Sequence, residues 1–274
     1  MRLFPAVVLL AFLFLTSNTG NAQTDSIVLK DIVWDPQSPA GMTELFIPSE
    51  NALLPGFIYR ANGPQKHPTL LLLHGYPGNE RNLDLAQVVR AHGWNVIYFD
   101  YRGSWGSQGK FSFRHCVEDV VNVVAFCKKY RDSLRIDTSN IVLFGHSMGG
   151  WVCLKSLQHL PGVKKGFALS TWDIFKDHKG LDKGPAYFVL NTPPGQLLAD
   201  VNANLNFIQL DKDGGTLSGK QIVMLDEHSG NKALAETLRS ANKAYFDYSV
   251  WATDHPFTNR RVALMKKVLE FLDR

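Results

Sequence analysis

The stretch Asn140-Ile141-Val142-Leu143-Phe144-Gly145-His146-Ser147-Met148-Gly149-Gly150 decides the reading of this chain. Five residues with strand propensity run into Gly-x-Ser-x-Gly, and an apolar helical pattern follows from Gly150 to Leu160, closed by Pro161-Gly162. A serine between a strand and a helix, with glycine two residues to either side, describes a turn so tight that backbones touch. Such a turn lifts the Ser147 hydroxyl above a sheet and aims a helix N-terminus at any anion forming there.

Working outward, Thr69–Leu73 is a continuous apolar run, as in a strand buried on both faces of a parallel sheet. Asn95–Asp100, Gly166–Ser170, Gln221–Leu225 and Tyr248–Trp251 repeat that pattern, and Glu44–Pro48 with Leu53–Tyr59 reads as a strand pair. Helical stretches separate them: Leu83–Ala91, a segment with Val117, Val120, Val121, Val124 and Cys127 on one face, and a closing helix with Val262, Met265, Leu269 and Leu272. Alternating strands and helices predict right-handed crossovers and a mostly parallel sheet with helices on both faces. Residues 174–220 break the alternation. They are rich in Gly, Pro and Asn and read as a cap inserted over the site.

With 274 residues, 45% of them hydrophobic and 20% charged, the chain has enough apolar content for a large folded domain and too much for a disordered one. The net charge of +4 is scattered, with no basic stripe, which argues against a nucleic-acid partner. Arg2, the apolar run Phe4–Leu15 and small residues ending at Ala22 describe a secretory leader over residues 1–22, so an exported protein, periplasmic or extracellular, is expected. After removal of that leader no run approaches the ~20 apolar residues of a membrane span. Cys116 and Cys127 lie too far apart on one helix to pair. Bridges from either to Cys153 remain open, and buried free thiols are favoured.

A hydroxyl nucleophile needs a base and an oxyanion site. Of nine histidines, His67, His92, His159 and His178 fall in turns or at helix ends and read as surface residues. His115 opens a helix, His74 braces a loop, and His146 neighbours Ser147 but diverges from it. His255, in Thr253-Asp254-His255-Pro256-Phe257 after the last strand, reaches the edge of the sheet where Ser147 lies. His74-Gly75-Tyr76-Pro77-Gly78 follows the leucine strand, so the Tyr76 N–H and the Met148 N–H are the candidate oxyanion donors. Asp100-Tyr101-Arg102-Gly103-Ser104-Trp105-Gly106 reads as a loop braced by an Asp100–Arg102 pair.

Together these motifs resemble the α/β-hydrolase superfamily. More narrowly, YRGSWGSQGKFSF (residues 101–113), GHSMGGW (145–151) and TDHPF (253–257) resemble exported bacterial hydrolases related to prolyl-oligopeptidase-type catalytic domains and dienelactone hydrolases. The resemblance implies an eight-stranded, mostly parallel sheet in one domain over residues 23–274. It also implies a metal-free and cofactor-free Ser-acid-His mechanism on carboxylic esters, with peptide or amide cleavage as the alternative and a non-catalytic binding homologue as another. The substrate would be a small-molecule ester or a short peptide. An apolar or aromatic part would meet rings such as Trp105, Phe111, Trp172, Tyr187 and Phe188, unless these form the cap's own core. The triad acid falls on the loop Asp226-Glu227-His228-Ser229-Gly230-Asn231, where the family's spacing lands on uncharged Ser229. Asp226 is the expected acid, followed by Glu227 and then Asp173. A dyad in which Ser229 or water orients the imidazole is the remaining alternative.

Overall fold

A computed structural model describes residues 31–242 and 244–274; the leader expected at residues 1–22 lies outside them. Eight strands form one sheet: β1 (Gly41–Ser49), β2 (Ala52–Arg60), β3 (His67–Leu73), β4 (Asn95–Phe99), β5 (Ile136–His146), β6 (Lys165–Leu169), β7 (Gln221–Asp226) and β8 (Phe246–Val250). Their spatial order is β1-β2-β4-β3-β5-β6-β7-β8. β1 and β2 form an antiparallel hairpin, β2 meets β4 antiparallel, and every pairing from β4 to β8 is parallel.

That order places the helices. The chain steps one way from β3 to β4 and the other way from β4 to β5. Right-handed crossovers therefore put α1 (Leu83–Ala91) on one face and α2 (Phe113–Lys129) on the other. α3 (Met148–His159), which joins β5 to β6, continues in the second direction and packs on α2, while the closing helix α8 (Arg261–Leu272) packs on α1. Covered on both sides, β4 is buried at all five positions and β3 at six of seven, which is why both read as unbroken apolar runs. Cys116, Cys127 and Cys153 are buried free thiols, filling core volume without bridging.

The insertion between β6 and β7 is helical: α4 (Ile174–Asp177), α5 (Pro194–Ala203) and α6 (Leu205–Ile208), followed after β7 by α7 (Lys232–Ala241). It is not a detached lid. Leu197, Val201, Ile208 and Leu210 are buried in the main core, and the Trp151 indole N–H donates to the Ile208 carbonyl at 2.8 Å.

The loop after β4 is braced differently from the sequence expectation. Arg102 pairs with Asp119 on α2 (Nε to Oδ1, 2.5 Å) and with Glu118 (2.7 Å), while Asp100 accepts the Tyr98 hydroxyl. Asp119 also takes the Arg102 amide and the Ser49 hydroxyl. This buried network ties the loop to α2 and β1. His67 and His178, expected at the surface, are buried, with ring nitrogens bonded to the Gly93 and Phe175 carbonyls.

Candidate active site

Ser147 stands between β5 and α3 at φ 60°, ψ −119°, a conformation a non-glycine residue adopts only when its surroundings enforce it. The flanking glycines are what make the turn possible. A Cβ on Gly145 would overlap the Gly149 carbonyl, and one on Gly149 would overlap the Leu73 carbonyl. The Ser147 amide donates to the Leu169 carbonyl at 2.8 Å, and its carbonyl accepts from the Trp172 amide at 3.0 Å, tying the elbow to the end of β6.

Gly75 sits directly against this turn. A Cβ there would lie 3.1 Å from the Ser147 Cβ and 3.6 Å from its Oγ. The next residue is Tyr76, and the residue after Ser147 is Met148, first of α3, whose amide belongs to the unbonded first turn of a helix. The Tyr76 loop is held from beneath. His74 Nδ1 lies 2.8 Å from the Gly75 carbonyl, and the Trp105 indole donates to the Pro77 carbonyl at 2.7 Å. Burial lowers His74 to about 4, so it braces the loop as a neutral ring. The Trp105 contact joins two loops 28 residues apart, and no local pattern signals it.

His255 is half exposed, and its Nδ1 lies 2.7 Å from Oε1 of Glu227. The loop that carries it is pinned at several points. Asp254 accepts the Thr258 amide at 2.6 Å, Phe257 is fully buried, and Arg261 reaches the Pro256 carbonyl at 3.0 Å. His146 adds a further tie, Nε2 to the His255 carbonyl at 3.0 Å. Burial, with a smaller push from His255, lowers His146 to about 4.

The carboxylate on His255 is therefore Glu227, where the sequence reading had favoured Asp226. Asp226 is the last residue of β7 and points into the packed face of the sheet, fully buried, where Oδ1 accepts the Thr171 amide at 3.2 Å. Burial raises its carboxyl to about 6. Side chains alternate along a strand, so the next residue faces the opposite way and out toward His255. Burial also opposes ionisation of Glu227, but hydrogen bonds from His255 and Ser170 outweigh it and hold that carboxyl at about 2. Asp173 caps α4 by accepting the Lys176 amide at 3.2 Å, and Ser229 is exposed in a 3-10 turn.

Ser147, Glu227 and His255 line one cavity of about 170 Å³ with Trp172, Asp173, Lys176, Asp177 and His228. The aromatic residues divide. Phe111 and Phe113 are core, while half-buried Tyr76 meets half-buried Trp172 and Tyr187 with ring centroids 5.8 and 5.3 Å away; Phe188 is 99% exposed.

Comparison with known proteins agrees with this architecture. The chain is 30% identical over 105 residues to lysophosphatidylserine lipase ABHD12 of Danio rerio (37% of this chain, 26% of that one). It is 27% identical over 135 residues to the Rickettsia prowazekii protein RP471 (47% and 55%). It thus spans between about a quarter and about half of the length of these curated relatives. In three dimensions it resembles Est1E from Butyrivibrio proteoclasticus, solved with ferulic acid (TM-score 0.67, 16% identity, 84% of this chain and 100% of that one). It also resembles the Pyrococcus furiosus esterase Pf2001 (TM-score 0.64, 19% identity, 89% and 95%). At these identities the structural likeness is one of fold. The alpha/beta hydrolase family profile matches residues 70–266, from β3 into α8, and the chain belongs to that family.

Proposed function

We propose that this protein is a serine hydrolase of carboxylic esters. The observation that carries the reading is the His255–Glu227 bond of 2.7 Å in the same cavity as the strained Ser147 turn. In this reading Ser147 Oγ attacks the ester carbonyl while His255 Nε2 takes its proton. The Tyr76 and Met148 N–H groups receive the oxyanion, and His255 then protonates the departing alcohol. Water, activated by the same imidazole, releases the acid and restores Ser147. Glu227, held ionised, keeps the His255 proton on Nδ1 and stabilises the imidazolium.

The cavity walls support a small substrate with two unlike halves. Trp172 is the aromatic wall, backed by the Tyr76 ring packed against it and by Tyr187 beyond, and Asp173, Lys176, Asp177 and His228 form a polar side. A compact ester with a hydroxylated or charged group fits this better than a long aliphatic chain. The same proposal includes export, on the composition of residues 1–22. Among the described residues no helix is long and apolar enough to cross a membrane.

The test is labelling by a fluorophosphonate probe, expected for the native protein and lost in Ser147→Ala. Unlabelled folded protein, or equal labelling of the variant, would overturn the reading in favour of a binding homologue. A panel of p-nitrophenyl esters beside aminoacyl anilides then separates esterase from peptidase, with preference for the anilides reversing the ester assignment.

A further inference from the structure

We infer that Ser170 is the positioning residue that makes Glu227 the acid of this site; the inference rests on the serine-hydrolase reading above. Asp226 closes β7 and Glu227 follows it, and what each carboxylate does is settled by what it meets where the chain leaves the neighbouring β6. β6 and β7 run in register to Leu169 and Leu225, and the Ser170 amide still donates to the Leu225 carbonyl at 2.7 Å. At that point the chain leaves the ladder. Ser170 takes φ +47°, the left-handed region that glycine or asparagine usually fills.

The kink gives each carboxylate its own donor. Ser170 Oγ donates to Glu227 Oε2 at 2.6 Å, and the Thr171 amide donates to Asp226 Oδ1 at 3.2 Å. Asn231, on the far side, holds the Thr171 carbonyl at 2.7 Å and keeps the kinked segment in place. Glu227 is thereby anchored at both oxygens, Oε2 to Ser170 and Oε1 to His255 Nδ1. A carboxylate bonded at one oxygen can still swing about its last torsion. Bonded at two, it presents a fixed edge to the imidazole. The Ser170 side chain is buried, and a 2.6 Å bond from a hydroxyl to an ionised carboxylate is of the short, charge-assisted kind. Ser170 is thus a non-glycine residue held at positive φ by bonds on either side of it, with its hydroxyl committed to Glu227.

The experiment is a double-mutant cycle read as the rate of fluorophosphonate labelling, with folding checked by circular dichroism. Ser170→Ala is expected to slow labelling roughly 10- to 100-fold in the native background and less than about twofold in Glu227→Ala, because the hydroxyl acts only through that carboxylate. Ser170→Gly, which suits the positive φ and cannot fail through backbone strain, is expected to show the same pattern. Equal slowing in both backgrounds, or no slowing by either Ser170 variant, overturns the inference. Native-rate labelling of Glu227→Ala would instead overturn the assignment of Glu227 as the acid, and retained labelling of Ser147→Ala the hydrolase reading itself.

Discussion

His146 and His255 pack with ring centroids 4.8 Å apart and planes tilted by 35°, and His146 Nε2 donates to the His255 backbone carbonyl across 3.0 Å. A carbonyl can only accept, so Nε2 carries a proton, and burial, which lowers the ring to about 4, keeps Nδ1 free of a second one. The residue before Ser147 thus reaches across the site and holds the loop of the proposed base at a fixed distance from the proposed nucleophile.

Replacing His146 by Phe keeps the ring but removes the donor. The expected result is a roughly tenfold lower kcat on a p-nitrophenyl ester, with His146→Gln, which retains an N–H, recovering most of it. Unchanged kcat in His146→Phe would show that the His255 loop is held well enough by Asp254 and Arg261 alone.

Exchange of the two adjacent carboxylates gives a sharper contrast. Glu227→Gln is expected to lower kcat by roughly 100- to 10,000-fold with the fold intact, since the amide neither stabilises an imidazolium nor enforces the tautomer. Asp226→Asn stays within about tenfold, because Asp226 meets the Thr171 amide and not the imidazole. Steady-state kinetics on both variants decides it, and a larger loss for Asp226→Asn would reverse the assignment.

Stability should depend on pH in a way that Asp226 partly masks. Burial lowers His74 and His146 from 6.5 to about 4 and raises Asp226 from 3.8 to about 6. Between pH 6.5 and 4 the two histidines are charged when unfolded but neutral when folded, so stability falls as pH drops. Asp226 has the opposite sign, because between pH 6 and 3.8 it binds a proton in the folded state that the unfolded chain releases. The net loss from these three groups is about one proton, or ~1.4 kcal/mol per pH unit. Asp226→Asn removes the offset and should steepen the decline. Urea denaturation of both proteins from pH 6.5 to 4 measures it, and parallel curves would rule the offset out.

The Arg102–Asp119 pair supplies a prediction about the scaffold. Asp119 has no exposed surface and carries the Arg102 side chain, the Arg102 amide and the Ser49 hydroxyl. Asp119→Ala leaves the Arg102 Nε, the Arg102 amide and the Ser49 hydroxyl without their buried acceptor, with Glu118 holding only the Nη2 end of the guanidinium, and should cost about 3 kcal/mol. The joint replacement Arg102→Met with Asp119→Leu should cost markedly less. Thermal denaturation of the two variants tests the difference, and equal losses would mean the network contributes little through its charge.

The Ser147 elbow and the sheet that carries it were legible in the sequence because both rest on local physics. Backbone overlap at Gly145 and Gly149 admits no other residue there, and two-sided burial turns β3 and β4 into continuous apolar runs. The placement of His255 after the last strand followed from the same topology. The helical insertion was recognisable only as a break in pattern, since its short helices draw stability from packing on the main core and not from periodicity of their own.

Tertiary structure decided the identity of the carboxylate on His255. Asp226 and Glu227 are adjacent and chemically alike, and counting along the chain favours neither. The outcome depends on which side chain faces the core at the end of β7, and on a left-handed kink at Ser170, 57 residues away. Arg102 finding Asp119, Trp105 finding the Pro77 carbonyl and His146 finding the His255 carbonyl are contacts of the same kind. Each satisfies a buried polar group with a partner distant in sequence, a requirement that burial imposes and that only the folded chain can meet.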